Sequence, residues 1–375
     1  MAQFLISTVV HFLVDIRSQP SYSAHIRPVV YFTNPAQITT IGHYKHSLLV
    51  FDSLDQVTDE FSSWEPYYHQ AVASADLVLA ASQQLFVQAK AINPYTLLIP
   101  NGCDFAYFAQ ARKEVTSLTP PPDLPELKRA VIGYIGAVAS WCDLALLDQL
   151  ALAFPDCSLL IVGPLYNVRN IPNRPNIHWL GYKPYEQLLD YARYFDVGLI
   201  PFKQSEMTKA VNPIKMWEYM AMGIPVVTTA LPEAQAYGDL IYFSANQENF
   251  IGNVRRALKN ENWQRCENRM ALARENSWMT RARQMLLAIE ERLKDKGFKS
   301  PGKLPKPSNT TSYHHKYYTI KPDQTILKGG LIRHRLSIEI NKATGLEHIK
   351  TSQGIPTDIS SRVVRVFHYK KEQKR

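Results

Sequence analysis

Short apolar runs rich in valine, isoleucine and leucine alternate with helix-compatible stretches through residues 1–295 of this chain. Apolar strands that alternate with helices are typical of parallel sheets covered by helices on both faces. The sequence therefore predicts an α/β fold built on parallel sheets. We expect its strands in residues 27–32, 47–51, 77–82, 130–136, 158–163, 176–181, 196–201, 224–229 and 240–243.

Three consecutive prolines, Pro120 to Pro122, interrupt this series. Such a run can continue neither a helix nor a central strand, because proline has no backbone N–H to donate. We predict two doubly wound, Rossmann-like domains joined by a proline-rich linker. The expected boundaries are residues 1–117 for the N-terminal domain, 118–128 for the linker, 129–296 for the C-terminal domain and 297–375 for a basic, poorly ordered extension.

The C-terminal domain is expected to end with an amphipathic helix over residues 277–296, because its apolar residues recur at spacings of three and four. Beyond it, a stretch rich in Pro, Gly, Ser and Lys predicts a disordered connector. Residues 331–341 and 362–369 then alternate partly between apolar and polar side chains. They fit short strands and an unfolded tail equally well.

The net charge of +9 is unevenly distributed along the chain. Residues 296–375 hold 17 Lys and Arg against 5 Asp and Glu, so the first 295 residues have a net charge of −3. The first 295 residues are therefore not basic, and no nucleic-acid partner is expected. The basic extension fits either a peripheral contact with anionic lipid headgroups or an extension without a function of its own.

Cysteine usage and hydropathy bear on the compartment. The four cysteines form no C-x-x-C pair, which argues against a disulfide scaffold or a zinc ribbon and favours a reducing compartment. No apolar run reaches the roughly 18–20 residues of a membrane helix. The apolar residues 1–19 are interpreted as a buried helix rather than a signal peptide or a membrane-surface helix. We expect a cytoplasmic protein, either free or in peripheral contact with the inner face of the membrane.

Residues 209–229 contain the most informative motif. Asn212 is a suitable N-cap, Pro213 fits the first helical position, and Gly223 is placed to end the helix. Lys215 and Glu218 are three residues apart and so share one face of that helix. A helix N-terminus with an added lysine suits a diphosphate, and a carboxylate one turn on could accept hydrogen bonds from ribose hydroxyls. An ordinary surface Lys–Glu pair is the alternative.

The strand at 130–136 ends in Gly136, which would leave room for a phosphate or a sugar beside the main chain. The pattern is not G-x-G-x-x-G, so a dinucleotide-binding oxidoreductase is only weakly supported. Taken alone, Gly136 could equally be required for strand-to-helix packing.

The stretch NPIKMWEYMAMGIPVV resembles the donor-site helix of GT-B nucleotide-sugar glycosyltransferases, and most closely that of bacterial envelope and exopolysaccharide enzymes of the teichuronic-acid type. Other stretches agree in order and spacing, so that the resemblance covers about residues 25–293. They are LLVFDSLDQVTDEF, ADLVLAASQQL, LLIPNGCDFAYF, YIGAVASWCDLALLDQLA, LLIVGP and NIHWLGYKPYEQLLDYARYFDVGLIPF.

This resemblance implies a retaining transfer of a sugar from a UDP- or GDP-sugar to a polysaccharide or lipid-linked acceptor. The C-terminal domain would hold the nucleotide and the N-terminal domain the acceptor. Glu218 matches the family's ribose-binding glutamate. The remaining donor-binding positions are Gly136, Val211, Asn212 and Lys215 near the diphosphate, and Gly181 and Tyr182 near the nucleobase.

The sequence departs from the family at two places. Many relatives carry a second glutamate eight residues before the ribose-binding one, where this chain has Ala210. In addition, only about 50 residues precede Asp52, so roughly three strands of the N-terminal domain are expected to be missing. A non-catalytic nucleotide-sugar-binding or assembly protein, derived from a truncated enzyme, is therefore the alternative function.

No D-x-D motif of the metal–diphosphate type is found between apolar strands, and we predict metal-independent transfer without a cofactor. A carboxylate is then expected to assist the acceptor hydroxyl or the developing cation. Asp55 is the preferred candidate and Asp52 the second, since both follow the strand at 47–51. Either acid could instead cap the following helix.

Overall fold

A computed structural model describes residues 29–41, 46–112 and 119–298, together with four short strands between residues 324 and 348. The predicted N-terminal helix, residues 113–118 and the segment 362–369 lie outside the described residues. The described residues between 29 and 298 belong to one compact unit, which carries both parallel sheets. The four short strands belong to a second unit.

The first sheet has four parallel strands in the order β1-β2-β3-β4. Its strands are β1 (Val29–Phe32), β2 (Leu48–Ser53), β3 (Leu77–Ala80) and β4 (Thr96–Leu98). The helices that follow them are α1 (Ile38–Ile41), α2 (Glu65–Ser74), α3 (Gln83–Ile92) and α4 (Phe105–Phe108). Helix α3 begins as a side-chain-capped helix, because the hydroxyl of Ser82 accepts from the amide of Leu85 at 3.4 Å.

Alternate residues of β2 face opposite sides of this sheet, as the period of two along a strand requires. Leu49 and Phe51 pack with α1 and α2, whereas Leu48 and Val50 pack against the last helix of the unit. Both faces are therefore buried, which explains why β2 is apolar without interruption over its first four residues.

The second sheet has six parallel strands in the order β10-β9-β8-β5-β6-β7. Its strands are β5 (Val131–Ile135), β6 (Ser158–Val162), β7 (Ile177–Trp179), β8 (Val197–Ile200), β9 (Val226–Thr229) and β10 (Tyr242–Ser244). The helices between them are α5 (Leu144–Ala153), α6 (Leu188–Ala192), α7 (Glu206–Lys209), α8 (Ile214–Ala221) and α9 (Pro232–Gln235).

Three longer helices complete the unit: α10 (Gln247–Lys259), α11 (Trp263–Glu275) and α12 (Trp278–Asp295). Helix α12 follows the second sheet along the chain but packs on the first. Its Met285, Ala288 and Leu293 are buried against Leu48 and Leu79. Towards its C-terminal end, the Lys296 ammonium lies 2.6 Å from an Asp76 carboxylate oxygen, just before β3.

The predicted α/β class with parallel sheets is confirmed, and each of the nine expected strands is present. Strand β4 was not among them. The change from the first sheet to the second falls between Arg112 and Val131, but the domain boundaries given above stay predictions. In the second unit, Gln324–Ile326 pairs antiparallel with Ile332–His334, and Glu339–Ile340 with Glu347–His348.

Candidate functional site

The strand order of the second sheet creates a crevice beside β5. The chain runs from β5 to β6 on one side, and β8 lies on the other side. In open α/β sheets, ligands bind outside the carboxyl ends of the strands at such a switch point. Gly136 directly follows β5, and the segment after β8 leads through α7 to α8. The two motifs selected from the sequence therefore meet at this crevice.

Two glycine turns form the floor of the crevice. Gly136, after β5, has a φ of +131°, and Gly163, after β6, has a φ of +153°. A Cβ on Gly163 would lie 2.5 Å from the carbonyl carbon of Gly136. The two turns thus approach each other more closely than any side chain permits, which is one role of glycine at ligand-binding loops.

The side chain of Lys215 lies directly over Gly136. A Cβ on that glycine would lie 2.7 Å from the Lys215 Nζ. The ammonium is 5.4 Å from the ring centroid of Tyr134 and 5.2 Å from that of Phe202. Within the described residues it has no hydrogen-bond acceptor and no ion pair, and burial lowers its pKa. Lys215 is partly buried, and a partly buried cation without an acceptor is available to an anionic ligand.

Glu218 lies one turn further along α8 and is only 4% exposed. Burial raises the pKa of its carboxyl to about 7, Lys215 lowers it, and the nearby Asp104 raises it again. No group in the described part of the chain donates a hydrogen bond to this carboxylate. Lys215 and Glu218 are therefore not an ordinary surface pair, and the alternative interpretation of the motif is excluded.

The start of α8 differs from the expectation. Helix α8 begins at Ile214, Pro213 occupies the N-cap position, and no side chain caps the helix. The prediction that Asn212 caps it is wrong, because Trp217 and Glu233 compete for its side chain. The Asn212 Oδ1 accepts from the indole of Trp217 at 3.0 Å, and its Nδ2 donates to Glu233 at 3.0 Å.

An uncapped start leaves backbone donors open. The amides of Ile214 and Lys215 donate to no protein group among the described residues. They lie at the positive end of the helix dipole, next to the Lys215 side chain. Val211, which precedes this turn, is partly buried against the core of the second sheet. The arrangement offers two N–H groups and one ammonium to an anion.

The other end of α8 agrees with the prediction, because Gly223 ends the helix with a φ of +73°.

A clasp of hydrogen bonds, formed by Gln83, Asn101, Asn212 and Glu233, joins this turn to residues of the first sheet. The Asn101 Nδ2 donates to the Asn212 carbonyl at 2.7 Å. The other carboxylate oxygen of Glu233 accepts from the amide of Gln83, the first residue of α3, at 2.7 Å. Nearby, Ala210 is buried against Ala80 and Leu85. The position at which many relatives have a glutamate is thus filled by apolar packing.

The loop after β7 contains the predicted nucleobase positions. Gly181 has a φ of +65°, and its carbonyl accepts from the amide of Gly163 at 2.8 Å. A Cβ on Gly181 would meet no atom within 4 Å, so space is open beside it. Tyr182 is 67% exposed, which leaves its ring available to a ligand.

A tyrosine three residues further on was missed by sequence reasoning. The Tyr185 ring stacks on Tyr107 with centroids 5.4 Å apart, and the charges of Glu218 and Asp104 add to burial in raising its pKa. Asp104 has a structural role, because its carboxylate caps α4 by accepting from the amide of Tyr107 at 3.0 Å. No local pattern marks Tyr185, since only the fold brings this loop beside α4 and α8.

The two candidate catalytic acids have different surroundings. Asp52 lies within β2 and faces the side of the sheet that α12 covers, the side of Leu48 and Val50. It is 4% exposed, its carboxylate accepts from the Tyr31 hydroxyl, and burial raises its pKa to about 7. Asp55 follows the strand and is partly buried, and burial raises its pKa to about 6. Asp55 therefore has the better access to a ligand.

Two absences concern only the residues that the structure describes. No three His, Cys, Asp or Glu side chains converge there in a way that could hold a metal ion. The expectation of metal-independent chemistry stays a prediction. Over the same ranges, no helix combines the length and apolar character needed to traverse a bilayer.

The part of the chain that contains the second sheet is similar in sequence to known proteins. Residues 129–260 match the family described as Glycosyl transferases group 1. A curated relative is TuaH of Bacillus subtilis (strain 168), a protein named as a glycosyltransferase of teichuronic acid biosynthesis, at 32% identity over 142 residues. That match covers 36% of this chain and 34% of the relative, so the chain spans about a third of the relative's length.

Solved structures resemble a larger part of the chain. Sucrose-phosphate synthase from Thermosynechococcus elongatus has a TM-score of 0.55 at 18% identity, covering 71% of this chain and 74% of that one. Anabaena Alr3699/HepE, solved in complex with UDP and glucose, has a TM-score of 0.50 at 16% identity, covering 70% and 77%. At such identities the likeness concerns the fold alone. We conclude that the chain has the GT-B fold and that its residues 129–260 match the model of glycosyl transferases group 1.

Proposed function

We propose that this protein is a glycosyltransferase that moves a sugar from a nucleoside-diphosphate sugar to an acceptor of envelope polysaccharide synthesis. The observation that carries the proposal is the Lys215 ammonium, which lies partly buried over Gly136, without an acceptor among the described residues, beside two open amides of α8. A diphosphate supplies the negative oxygens that these donors lack. Glu218, one turn away, is placed to accept hydrogen bonds from the ribose.

The same groups account for the bond that breaks. When the bond between the sugar C1 and the phosphate oxygen is cleaved, its electron pair leaves with the diphosphate. The growing negative charge is met by Lys215 and by the amides of Ile214 and Lys215, which are in place before the reaction. We propose that this stabilisation needs no metal ion and that the transfer retains the configuration at C1.

Retention in one step requires the acceptor hydroxyl to attack C1 on the face from which the diphosphate leaves, and the hydroxyl must lose a proton as it does so. We propose that Asp55 takes it, because a carboxyl with a pKa of about 6 is ionised at neutral pH yet remains a usable base. Asp52 is the weaker candidate, since its hydrogen bond from Tyr31 and its position under α12 suit a structural role.

The identity of donor and acceptor rests on the relatives. The Anabaena protein was solved with UDP and glucose, which favours a UDP-hexose over a GDP-sugar. The Bacillus relative is named for teichuronic acid biosynthesis, which favours a cell-envelope polysaccharide or its lipid-linked precursor as acceptor. A peripheral contact of the basic residues 297–375 with anionic lipids would bring the enzyme to such an acceptor.

The alternative is a nucleotide-sugar-binding or assembly protein without turnover. The four-stranded first sheet favours it, because the acceptor would be held by a smaller surface than the six-stranded second sheet offers the donor. Both functions require binding of the nucleotide, and only the first requires release of sugar from it. Incubation with UDP-glucose and analysis of the products separates them.

Calorimetric titration with UDP and with GDP tests the proposal. Lys215→Met removes the ammonium while keeping an unbranched side chain, and we expect it to weaken binding of the preferred nucleotide at least about tenfold. Lys259→Met, at an exposed position near the end of α10, is the matched control and should bind like the wild type. Failure of the wild type to bind either nucleotide, or equal affinities for all three proteins, would refute the proposal.

A further inference from the structure

We propose that Tyr185 is an additional donor-binding residue, whose hydroxyl contacts the ribose hydroxyls alongside the Glu218 carboxylate. This inference rests on the proposed function, because it needs a nucleoside diphosphate on Lys215. It concerns a residue that lies outside the motif of α8 and comes from a different loop.

The ring of Tyr185 is held firmly in place. It begins a short 3₁₀ turn, Tyr185–Gln187, after the loop that leaves β7. One contact is the stack on Tyr107, at an interplanar angle of 26°. Phe108, which is completely buried, meets the ring edge-on with centroids 6.0 Å apart. A ring fixed on two sides presents its hydroxyl in one direction, which reduces the entropy lost when a ligand binds.

The hydroxyl groups of the stacked pair are used differently. The Tyr107 hydroxyl donates to the carbonyl of Tyr185 at 3.0 Å and accepts from the amide of Leu189 at 3.2 Å. The Tyr185 hydroxyl has no hydrogen-bond partner in the described ranges. A partly buried tyrosine hydroxyl usually finds a partner. Tyr107 therefore holds the loop together, whereas Tyr185 retains a free donor and acceptor.

The charges around this hydroxyl define what it can bind. Tyr185 packs on Tyr107 and Phe108 of α4, and α4 in turn packs against α8, so the ring lies beside the helix that carries Glu218. The carboxylates of Glu218 and Asp104 also act on Tyr185 electrostatically. Asp104 is occupied as the cap of α4, where it accepts from the amide of Tyr107. Glu218 and Tyr185 are then the two groups left for a ligand: one accepts only, the other accepts and donates. Neighbouring hydroxyls on a pentose match this pair.

The test uses the complete protein and two ligands, UDP and its 2′,3′-dideoxy analogue. The wild type should bind UDP more tightly than the analogue. Tyr185→Phe keeps both ring contacts and removes only the hydroxyl. We expect it to weaken the binding of UDP about three- to tenfold, as the loss of one hydrogen bond would. The affinity for the analogue should be unchanged. A thermal melt matching the wild type shows that the loop is intact.

Two controls make the outcome specific. Tyr95→Phe, at a 49% exposed position just before β4 and outside the proposed site, should behave like the wild type towards both ligands. Glu218→Gln should also reduce the preference for UDP over the analogue. If Glu218→Gln reduces that preference and Tyr185→Phe does not, or if Tyr185→Phe weakens both ligands equally, the inference is overturned and the proposed function stands. If the wild type binds no nucleotide, both are overturned.

Discussion

Lys215 and Glu218 are charged residues that a core made only for stability would not contain. Glu218 is buried and Lys215 is partly buried next to the second sheet, and neither side chain has a hydrogen-bond partner among the described residues. Each costs free energy on folding, because the interior solvates a charge less well than water does. Such groups cluster where a ligand supplies the missing partners, and the loss in stability is the usual cost of a site.

Replacement of Glu218 by glutamine should stabilise the ligand-free protein, and more so at high pH. The pKa of Glu218 is about 7 in the folded chain, against an ordinary value of 4.5. The folded state therefore holds this proton more tightly than the unfolded chain, and stability falls as pH rises between these values. Relative to wild type, we expect Glu218→Gln to gain about 2–3 kcal/mol more at pH 8 than at pH 5.

Thermal melts of the two proteins at pH 5 and pH 8 measure this difference. Glu291→Gln, at an exposed position on α12, is the control and should change the Tm little at either pH. A gain in Tm for Glu218→Gln that is the same at both pH values would contradict the assignment of a raised pKa to this carboxyl.

At the scale of elements, the long apolar strands were predictable and the edge strand β4 was not. Strands buried on both faces, such as β5 and β6, appear as unbroken apolar runs because every side chain is in the core. Strand β4 has only three residues, and Leu97 and Leu98 are partly exposed at the sheet edge. A short run of this kind does not differ from an apolar loop in sequence.

The same limit applies to the site. The helix with Lys215 and Glu218 was found from its local spacing, since both residues lie on one short segment. The role of Asn212 was not, because the rule for N-caps describes only neighbours in sequence. Its actual partners, Trp217 and Glu233, include one that is 21 residues away. Tyr185 depends on Tyr107, 78 residues earlier, and no single-segment pattern contains that contact.

The glycine turns of the second sheet offer a matched pair of substitutions. Gly163→Ala would place a Cβ 2.5 Å from the Gly136 carbonyl carbon, on backbone that cannot move freely. We expect it to cost at least about 3 kcal/mol. Gly181→Ala has open space around its Cβ and bears only the cost of its φ of +65°, about 1–2 kcal/mol. Thermal melts should show a clearly larger loss of Tm for Gly163→Ala, and equal losses would contradict the close approach of the two turns.

At the scale of the compact unit, two sheets that are separate in sequence are joined by α12. The amide of Trp278, at its start, donates to the carbonyl of Cys103 at 2.9 Å. Near its end, the Arg292 Nε donates to the carbonyl of Asp76 at 2.9 Å. The helix thus supplies one wall of the first sheet's core although it follows the second sheet along the chain. The clasp through Glu233 and Gln83 joins the same two parts at the carboxyl ends of their strands.

A charge on the inner face of α12 should therefore unfold the first sheet. Met285 is 4% exposed and is buried with Leu48, Val50 and Leu79, so Met285→Asp would bury an unpaired carboxylate in a hydrocarbon core. We expect a loss of at least about 3 kcal/mol, seen as a lower Tm and as faster amide exchange in β2 and β3. Leu287→Asp, on the same helix but 65% exposed, is the control and should change both measurements little. If Met285→Asp were tolerated as well as Leu287→Asp, α12 would not be the cover of the first sheet.

Because β2 leads into Asp55, loss of this packing should also disturb the acceptor side of the proposed site, while the second sheet still binds the nucleotide.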